Sequence, residues 1–199
     1  MKIGILALQG GFAEHRATLN NLEIQTSEVR TPQHLHSLDG LIIPGGESTT
    51  IGMLAEQCRL IEPLREFGKL HAIWGTCAGA IFLSKDVRRR QPLLHLMDIT
   101  LVRNAFGSQV SSFEEDISVP ALSKIDPAAQ PYHGIFIRAP LIESCGDGVE
   151  VLATLQNGII VAALEGHFLA TSFHPELTED DRFHRFFLEL AAQTQLAAA

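Results

Sequence analysis

Three short, mostly apolar runs, each followed by a turn or helical segment, constrain the fold of this sequence most strongly. They cover residues 3–8, 40–44 and 71–74, and each is followed by glycines and then by apolar residues at helical spacing. Runs of this length are typical of parallel strands that are buried on both faces. Strands that alternate with helices predict an α/β fold with a doubly wound, mainly parallel sheet flanked by helices.

The second half of the chain predicts shorter β segments and one long closing helix. Asn157-Gly158 is a strong hairpin signal, and the last strand is expected over residues 167–173. The closing helix is predicted over residues 179–195, because apolar residues recur there at i, i+3, i+4 and i+7. These are Phe183, Phe186, Phe187 and Leu190. The other β segments are expected at 99–102, 117–119, 135–137, 149–155 and 159–164.

The helix after the first strand is expected to keep Glu14, His15 and Arg16 on its solvent face. The chain shows no internal repeat and no linker-like segment. We therefore predict a single domain over residues 1–196, followed by a short tail at 197–199.

Charge and cysteine usage exclude several classes of partner. The 23 acidic residues outnumber the 15 basic ones and give a formal net charge of −8, which argues against nucleic acid or an anionic membrane as the main partner. No run approaches the ~18–20 apolar residues of a spanning helix. The three cysteines are widely spaced and form no CxxC pair, so reduced thiols in a cytoplasmic protein are expected. No Cys/His cluster has metal-ligand spacing, and neither a metal nor a cofactor is expected.

Gly75-Thr76-Cys77-Ala78-Gly79 is the most informative segment for chemistry. A buried strand, a Gly-x-Cys-x-Gly turn and a helix reproduce the layout of a nucleophile elbow with cysteine in place of serine. A helix amino terminus favours the reactive thiolate. The alternative is a small buried cysteine in an ordinary strand-to-helix turn. Cys58 and Cys145 lack such a setting and are expected to be inert.

A cysteine nucleophile needs a base, and the base needs an orienting group. His174-Pro175-Glu176 follows the last apolar strand. Residues two apart in an extended segment point the same way, which would place the imidazole and the carboxylate on one side. The alternative is a strand end at the surface that carries two polar residues.

Residues 44–48 are a third candidate element. Gly45 and Gly46 follow a buried strand and let backbone N–H groups approach a ligand, so with the N–H of Ala78 they predict an oxyanion hole. The alternative is a glycine-rich turn in which Ser48 caps the next helix. A phosphate loop is excluded, because the Gly-x4-Gly-Lys-Ser/Thr spacing is absent.

Taken together, these segments resemble the class I (triad) glutamine amidotransferases. The closer resemblance is to the PdxT family, the glutaminase subunits of the ribose-5-phosphate-dependent pyridoxal 5′-phosphate synthases. The segments that carry it span nearly the whole chain, at residues 5–10, 44–50, 74–79, 103–107, 136–140 and 173–176. The resemblance implies a flavodoxin-like three-layer fold.

The resemblance also implies an activity and a partner. The expected reaction is hydrolysis of L-glutamine to L-glutamate and ammonia. The expected partner is a separate synthase subunit, in a hetero-oligomer, which uses the ammonia to build pyridoxal 5′-phosphate from ribose 5-phosphate and glyceraldehyde 3-phosphate.

Site residues follow from the resemblance position by position. Cys77 would be the nucleophile, His174 the general base and acid, and Glu176 the orienting carboxylate. The backbone N–H groups of Gly46 and Ala78 would hold the oxyanion. The residues expected to contact glutamine are Gly46, Glu47, Ser48, Arg103, Ile137 and Arg138. Either arginine suits the α-carboxylate, because a guanidinium can bind both of its oxygens.

Two positions depart from the family pattern. Ser108 stands where a basic residue is expected, and residues 88–90 form an unusually basic run, Arg88-Arg89-Arg90. Two other functions stay open at this stage. One is a partner-independent triad hydrolase of γ-glutamyl or peptide bonds, and the other is a non-catalytic, cysteine-based stress protein of the same architecture.

Overall fold

The computed structural model describes residues 1–103, 112–128 and 130–198 of the chain. Within these residues the α-helices are α1 (Phe12–Asn21), α2 (Ser48–Gln57), α3 (Ile61–Gly68), α4 (Ala78–Leu83) and α5 (Arg182–Ala198). The strands are β1 (Lys2–Leu6), β2 (Gln25–Val29), β3 (Gly40–Ile43), β4 (Ala72–Thr76), β5 (Ser84–Asp86), β6 (Met97–Val102), β7 (Ser112–Ile117), β8 (Tyr132–Ile137), β9 (Leu141–Cys145), β10 (Glu150–Thr154), β11 (Ile160–Glu165) and β12 (Phe168–Thr171). Short 3₁₀ helices lie at Pro32–Leu35, Pro120–Lys124 and Pro175–Leu177.

The large sheet has a parallel centre. Strands β2, β1, β3, β4 and β12 lie side by side in that order, and each neighbouring pair is parallel. The sheet then continues through β11, β9, β6 and β5, with β12, β11, β9 and β6 joined by antiparallel pairs. β10 pairs with β11, and β7 and β8 form a separate antiparallel pair. The predicted α/β class with a mainly parallel sheet is confirmed.

Helices cover both faces of this sheet. Side chains alternate along a strand, so Ile3 and Ile5 of β1 pack into the core beneath α1 and α5, whereas Leu6 packs into the core beneath α2, α3 and α4. All three side chains are at most 1% exposed. Burial of both faces explains why the central strands read as continuous apolar runs.

Parallel pairing brings the carboxyl ends of three central strands to one edge. Ile43 of β3 lies opposite Gly75 of β4, and Thr171 of β12 lies opposite Thr76 of β4. The segments that follow these strands therefore emerge side by side, although they are far apart in the sequence. The edge of an α/β sheet where strands end is the usual position for a ligand site.

Several predicted elements are confirmed with small shifts in their bounds, including the hairpin around Asn157-Gly158, which joins β10 to β11. Among the α-helices and strands, three were not predicted: α3, β5 and β9. The β segment expected at 117–119 is wrong in its position, because β7 covers Ser112–Ile117. The solvent-face prediction for α1 is wrong at His15, which is fully buried. No helix in the described ranges is long and apolar enough to cross a membrane.

Candidate active site

Cys77 occupies a sharp turn between β4 and α4. Its backbone has φ +48° and ψ −107°, a conformation that a side chain other than glycine rarely adopts. A Cβ at Gly75 would lie 2.5 Å from the carbonyl oxygen of Gly79, and a Cβ at Gly79 would overlap the carbonyl oxygen of Ile43. Both flanking glycines are therefore required by close backbone approach, as the elbow pattern predicts.

His174 follows β12 and lies against Cys77. Its backbone N–H donates to the carbonyl of Ile135 at 2.9 Å, and its Nδ1 lies 2.8 Å from Oε1 of Glu176. Burial lowers the pKa of His174, but hydrogen bonds to Cys77 and Glu176 outweigh burial and raise that pKa to about 10. The imidazole is therefore held between a thiol and a carboxylate. The Cys77 Sγ also lies 4.0 Å from the carbonyl oxygen of Ile137.

His174 and Glu176 are in contact as predicted, but the backbone between them is not extended as the prediction assumed. Residues Pro175–Leu177 form a 3₁₀ turn rather than an extended segment. The turn brings the Glu176 side chain back to the imidazole, and Glu176 is 7% exposed. Burial by itself raises the pKa of Glu176, but His15 and His174 hold this pKa below its ordinary value.

The loop after β3 closes over the imidazole. A Cβ at Gly45 would lie 2.5 Å from Cε1 of His174 and 3.4 Å from Cβ of Cys77. The carbonyl oxygen of Gly45 accepts from the N–H of Gly11 at 3.0 Å. Because the peptide is trans, the N–H of Gly46 points away from Gly11. Ala78 begins α4, and the first N–H groups of a helix have no partner within it.

Glu47, not Ser48, caps α2. Its carboxylate accepts from the N–H groups of Thr49 at 3.2 Å and Thr50 at 2.7 Å, and Ser48 is the first helical residue. Arg103 pairs with the same carboxylate at 2.8 Å. Burial by itself raises the pKa of Glu47, but Thr50, Thr49 and Arg103 lower it to about 2. The alternative in which Ser48 caps the helix is wrong.

One cavity of about 440 Å³ collects the predicted residues. Nine of the ten predicted site residues line this cavity, and the tenth, Glu176, lies behind His174. The nine are Gly46, Glu47, Ser48, Cys77, Ala78, Arg103, Ile137, Arg138 and His174. Two larger surface grooves, of about 650 and 620 Å³, contain none of them. The volume of the 440 Å³ cavity is within the range usual for small-molecule sites.

The two arginines of the cavity differ in their partners. Arg103 contacts Glu47 and also Thr49 Oγ1 at 3.0 Å. Arg138 has φ +45° and follows β8, and within the described ranges it forms no ion pair. Residues 104–107 of the family-like segment, and Ser108, lie outside the described residues.

Sequence reasoning missed three polar contributors near this cavity. Gln9 accepts from the N–H of Glu47 at 2.7 Å and so fixes the glycine loop. His15 and His184 form a buried pair behind Glu176. Gln9 had a signal in its position directly after a buried strand, whereas the two histidines sit on helices and have none.

This fold, with a Cys–His–Glu arrangement at the carboxyl edge of its sheet, is that of a triad-class glutamine amidotransferase. The chain belongs to the SNO glutamine amidotransferase family, which matches residues 5–193.

Similar proteins agree with this membership. The pyridoxal 5′-phosphate synthase subunit PdxT of Chloroflexus aurantiacus is 51% identical over 195 residues, which covers 96% of this chain and 100% of the relative. The PdxT subunit of Thermus thermophilus is 52% identical over 194 residues, covering 95% and 97%. A solved glutamine amidotransferase superposes with a TM-score of 0.88 at 49% identity, covering 96% and 98%. A putative GMP synthase component from Thermoplasma acidophilum, at 19% identity and a TM-score of 0.71 (100% and 97% covered), shares the fold.

Proposed function

We propose that this protein is the glutaminase subunit of a pyridoxal 5′-phosphate synthase. It hydrolyses L-glutamine to L-glutamate and ammonia and delivers the ammonia to a separate synthase subunit, which makes pyridoxal 5′-phosphate from ribose 5-phosphate and glyceraldehyde 3-phosphate. One observation carries the proposal: Cys77, His174 and Glu176 form a continuous line of polar contacts from the cavity into the core. Relatives about 51% identical over their full length carry the name of that synthase.

The first half of the reaction forms a thioester. His174 takes the proton of the Cys77 thiol, the sulfur attacks the side-chain amide carbon of glutamine, and the carbonyl oxygen becomes an oxyanion. The N–H groups of Gly46 and Ala78 donate to that oxyanion, and each donor lowers the barrier by roughly 3–4 kcal/mol. His174 then transfers a proton to the departing nitrogen, and ammonia leaves as the C–N bond breaks.

The second half of the reaction releases glutamate. The neutral His174 takes a proton from water, and the resulting hydroxide attacks the thioester carbon. The C–S bond breaks, glutamate leaves, and the proton returns to the Cys77–His174 pair. Glu176 accepts from Nδ1 of His174 throughout, so Nε2 is the nitrogen that faces the reacting atoms.

The α-amino and α-carboxylate groups of glutamine bind at the wall of the cavity that carries Arg138. Arg138 holds the α-carboxylate, because its guanidinium is the one without an ion pair in the described ranges. Arg103 already forms an ion pair with Glu47, and this pair forms part of the cavity wall. Ser48 and Ile137 complete the contacts to the substrate.

The test is ammonia release by the assembled complex. Cys77→Ala is expected to lose at least about 10³-fold in kcat, because the covalent route is removed, while Cys58→Ala stays active. Mass spectrometry of wild type with glutamine is expected to find a γ-glutamyl thioester on Cys77. Arg138→Met is expected to raise KM more than Arg103→Met. Full ammonia release by Cys77→Ala would sink the assignment.

We also propose that residues 1–196 form one domain and that the protein acts in the cytoplasm. Cys58, Cys77 and Cys145 are all free thiols, which suits a reducing compartment.

A further inference from the structure

A buried pair of histidines lies directly behind the triad and is not used by the reaction above. His15 comes from α1 and His184 from α5, and both side chains are fully buried. Both rings contact Trp74 edge-on, with centroids 5.6 and 5.0 Å from that of the indole. Two ionisable side chains in a core are costly unless they make specific hydrogen bonds.

These histidines connect to the triad through the second oxygen of Glu176. Nε2 of His15 lies 3.4 Å from Glu176 Oε2 and 3.3 Å from Thr76 Oγ1, and its Nδ1 lies 3.0 Å from His184 Nε2. In the described part of the chain, neither Glu176 Oε2 nor Nδ1 of His184 has a hydrogen-bond partner, so the approach of His15 to Oε2 is a close polar contact and not a hydrogen bond.

The contacts select one arrangement of protons. If Nδ1 of His15 carried the proton, its bare Nε2 would face the Glu176 carboxylate, and His184 would bury an unpaired Nδ1–H. In the opposite arrangement His184 Nε2–H donates to His15 Nδ1, and His15 Nε2–H donates to Thr76 Oγ1 while it lies 3.4 Å from Glu176 Oε2. The partnerless His184 Nδ1 is then a bare acceptor, which is less costly than a buried N–H without a partner.

We propose that His15 is a positioning residue for the glutaminase reaction, held in the required tautomer by His184, which fixes the Glu176 carboxylate and thereby orients His174. The inference deepens the proposed function and rests on it. The hydrogen bond to Oε1 and the polar contact of His15 beside Oε2 together oppose rotation of the carboxylate, so the Nδ1–H of His174 keeps its acceptor.

The charges around the pair agree with this arrangement. Burial lowers the pKa of His15, although Glu176 and Glu14 raise it, and His174 lowers it further. Burial and His15 together hold the pKa of His184 well below its ordinary value. Both rings are therefore neutral at neutral pH, and each offers one donor and one acceptor.

Two substitutions at His15 separate the effect of its polar N–H from the effect of its packing. His15→Leu removes the donor, and we expect kcat of the assembled complex to fall about 10–100-fold with little change in KM. His15→Gln places a side-chain N–H near the position of Nε2, and it is expected to recover most of the loss. His184→Phe keeps an aromatic ring against Trp74 but removes the N–H that holds His15 in one tautomer. Its loss in kcat is expected to be smaller than that of His15→Leu.

A readout without glutamine isolates the positioning role. The rate at which iodoacetamide alkylates Cys77 is measured against pH. Weaker fixation of Glu176 lowers the pKa of His174, so the upper inflection of the rate profile is expected to move down by about 0.5–1 pH unit in His15→Leu, the size expected for the loss of one polar contact. In a Glu176→Gln background, His15→Leu is expected to cause no further shift.

The possible outcomes distinguish failure of the positioning role from failure of the proposed function. Wild-type kcat and an unchanged alkylation profile in His15→Leu would overturn the proposal, as would an equal further shift of the alkylation inflection in the Glu176→Gln background. If His15→Leu fails to fold, the alkylation profiles of His15→Gln and His184→Phe decide, and an unshifted His184→Phe profile counts against the proposal. A wild-type complex that releases no ammonia would sink the proposed function alone, because alkylation still reports on the His15 contact.

Discussion

The backbone of Cys77 stores strain at the position where the reaction needs it. A residue other than glycine with φ +48° costs of order 1–3 kcal/mol and persists only when its surroundings hold it. The N–H of Cys77 donates to the carbonyl of Thr171 at 2.7 Å, which ties the turn to the neighbouring strand β12. The strain is therefore sustained by the sheet, and it presents the thiol to His174.

His174 supplies a test in the pH dependence of stability. Contacts with Cys77 and Glu176 outweigh burial and raise its pKa from 6.5 to about 10, so folding favours the protonated ring. Its contribution to stability is fully present below pH 6.5 and is lost as pH rises through about 10. We expect the free energy of unfolding to decline over this interval in wild type relative to His174→Gln, as measured by denaturant titration. Parallel curves for the two proteins would contradict this reading.

Among the elements, the loop after β3 leaves little room for a side chain at Gly45. A Cβ at Gly45 would lie 2.5 Å from Cε1 and 3.0 Å from Nδ1 of His174, so an alanine must displace either the loop or the imidazole. We expect Gly45→Ala to lower kcat by about 10²-fold through misplacement of reacting groups, with circular dichroism unchanged. Gly148→Ala is the matched control, since its Cβ would meet only Glu165 at 3.8 Å. Equal activities for the two variants would contradict the close packing.

Local pattern explains which elements were predictable. The central strands are buried on both faces, so their apolar runs stand out, as in β3, where all four residues are buried. β9 has only one fully buried residue, and β5 is three residues long, so neither has a clear period. α3 contains Pro63 near its start, which is tolerated only in the first turn and obscured the helix.

At the scale of the whole molecule, the similarity to the PdxT subunits predicts dependence on a partner. Gly45 and Gly46 allow a peptide to rotate at little steric cost, so alignment of the oxyanion donors depends on what covers the loop. We expect low glutaminase activity from the isolated subunit and a large rise when the purified synthase subunit is added, measured as ammonia release.

The same experiment addresses the two alternative functions. Rapid turnover of γ-glutamyl or peptide substrates without the synthase subunit, and no response to it, would favour a partner-independent hydrolase. A Cys77 that reacts readily with peroxide but forms no thioester with glutamine would favour a stress protein. Membership of the glutamine amidotransferase family argues against both.

By itself the sequence determined the α/β class, the elbow at Cys77 and the identity of its proposed partners His174 and Glu176, because short-range patterns carry these features. Only the tertiary structure decided that Glu176 reaches His174 through a 3₁₀ turn and that His15 lies behind it in the core. The physical reason is that burial of a polar side chain depends on which elements pack against it. His15 of α1 meets His184 of α5, 169 residues away, and no local pattern records such a contact.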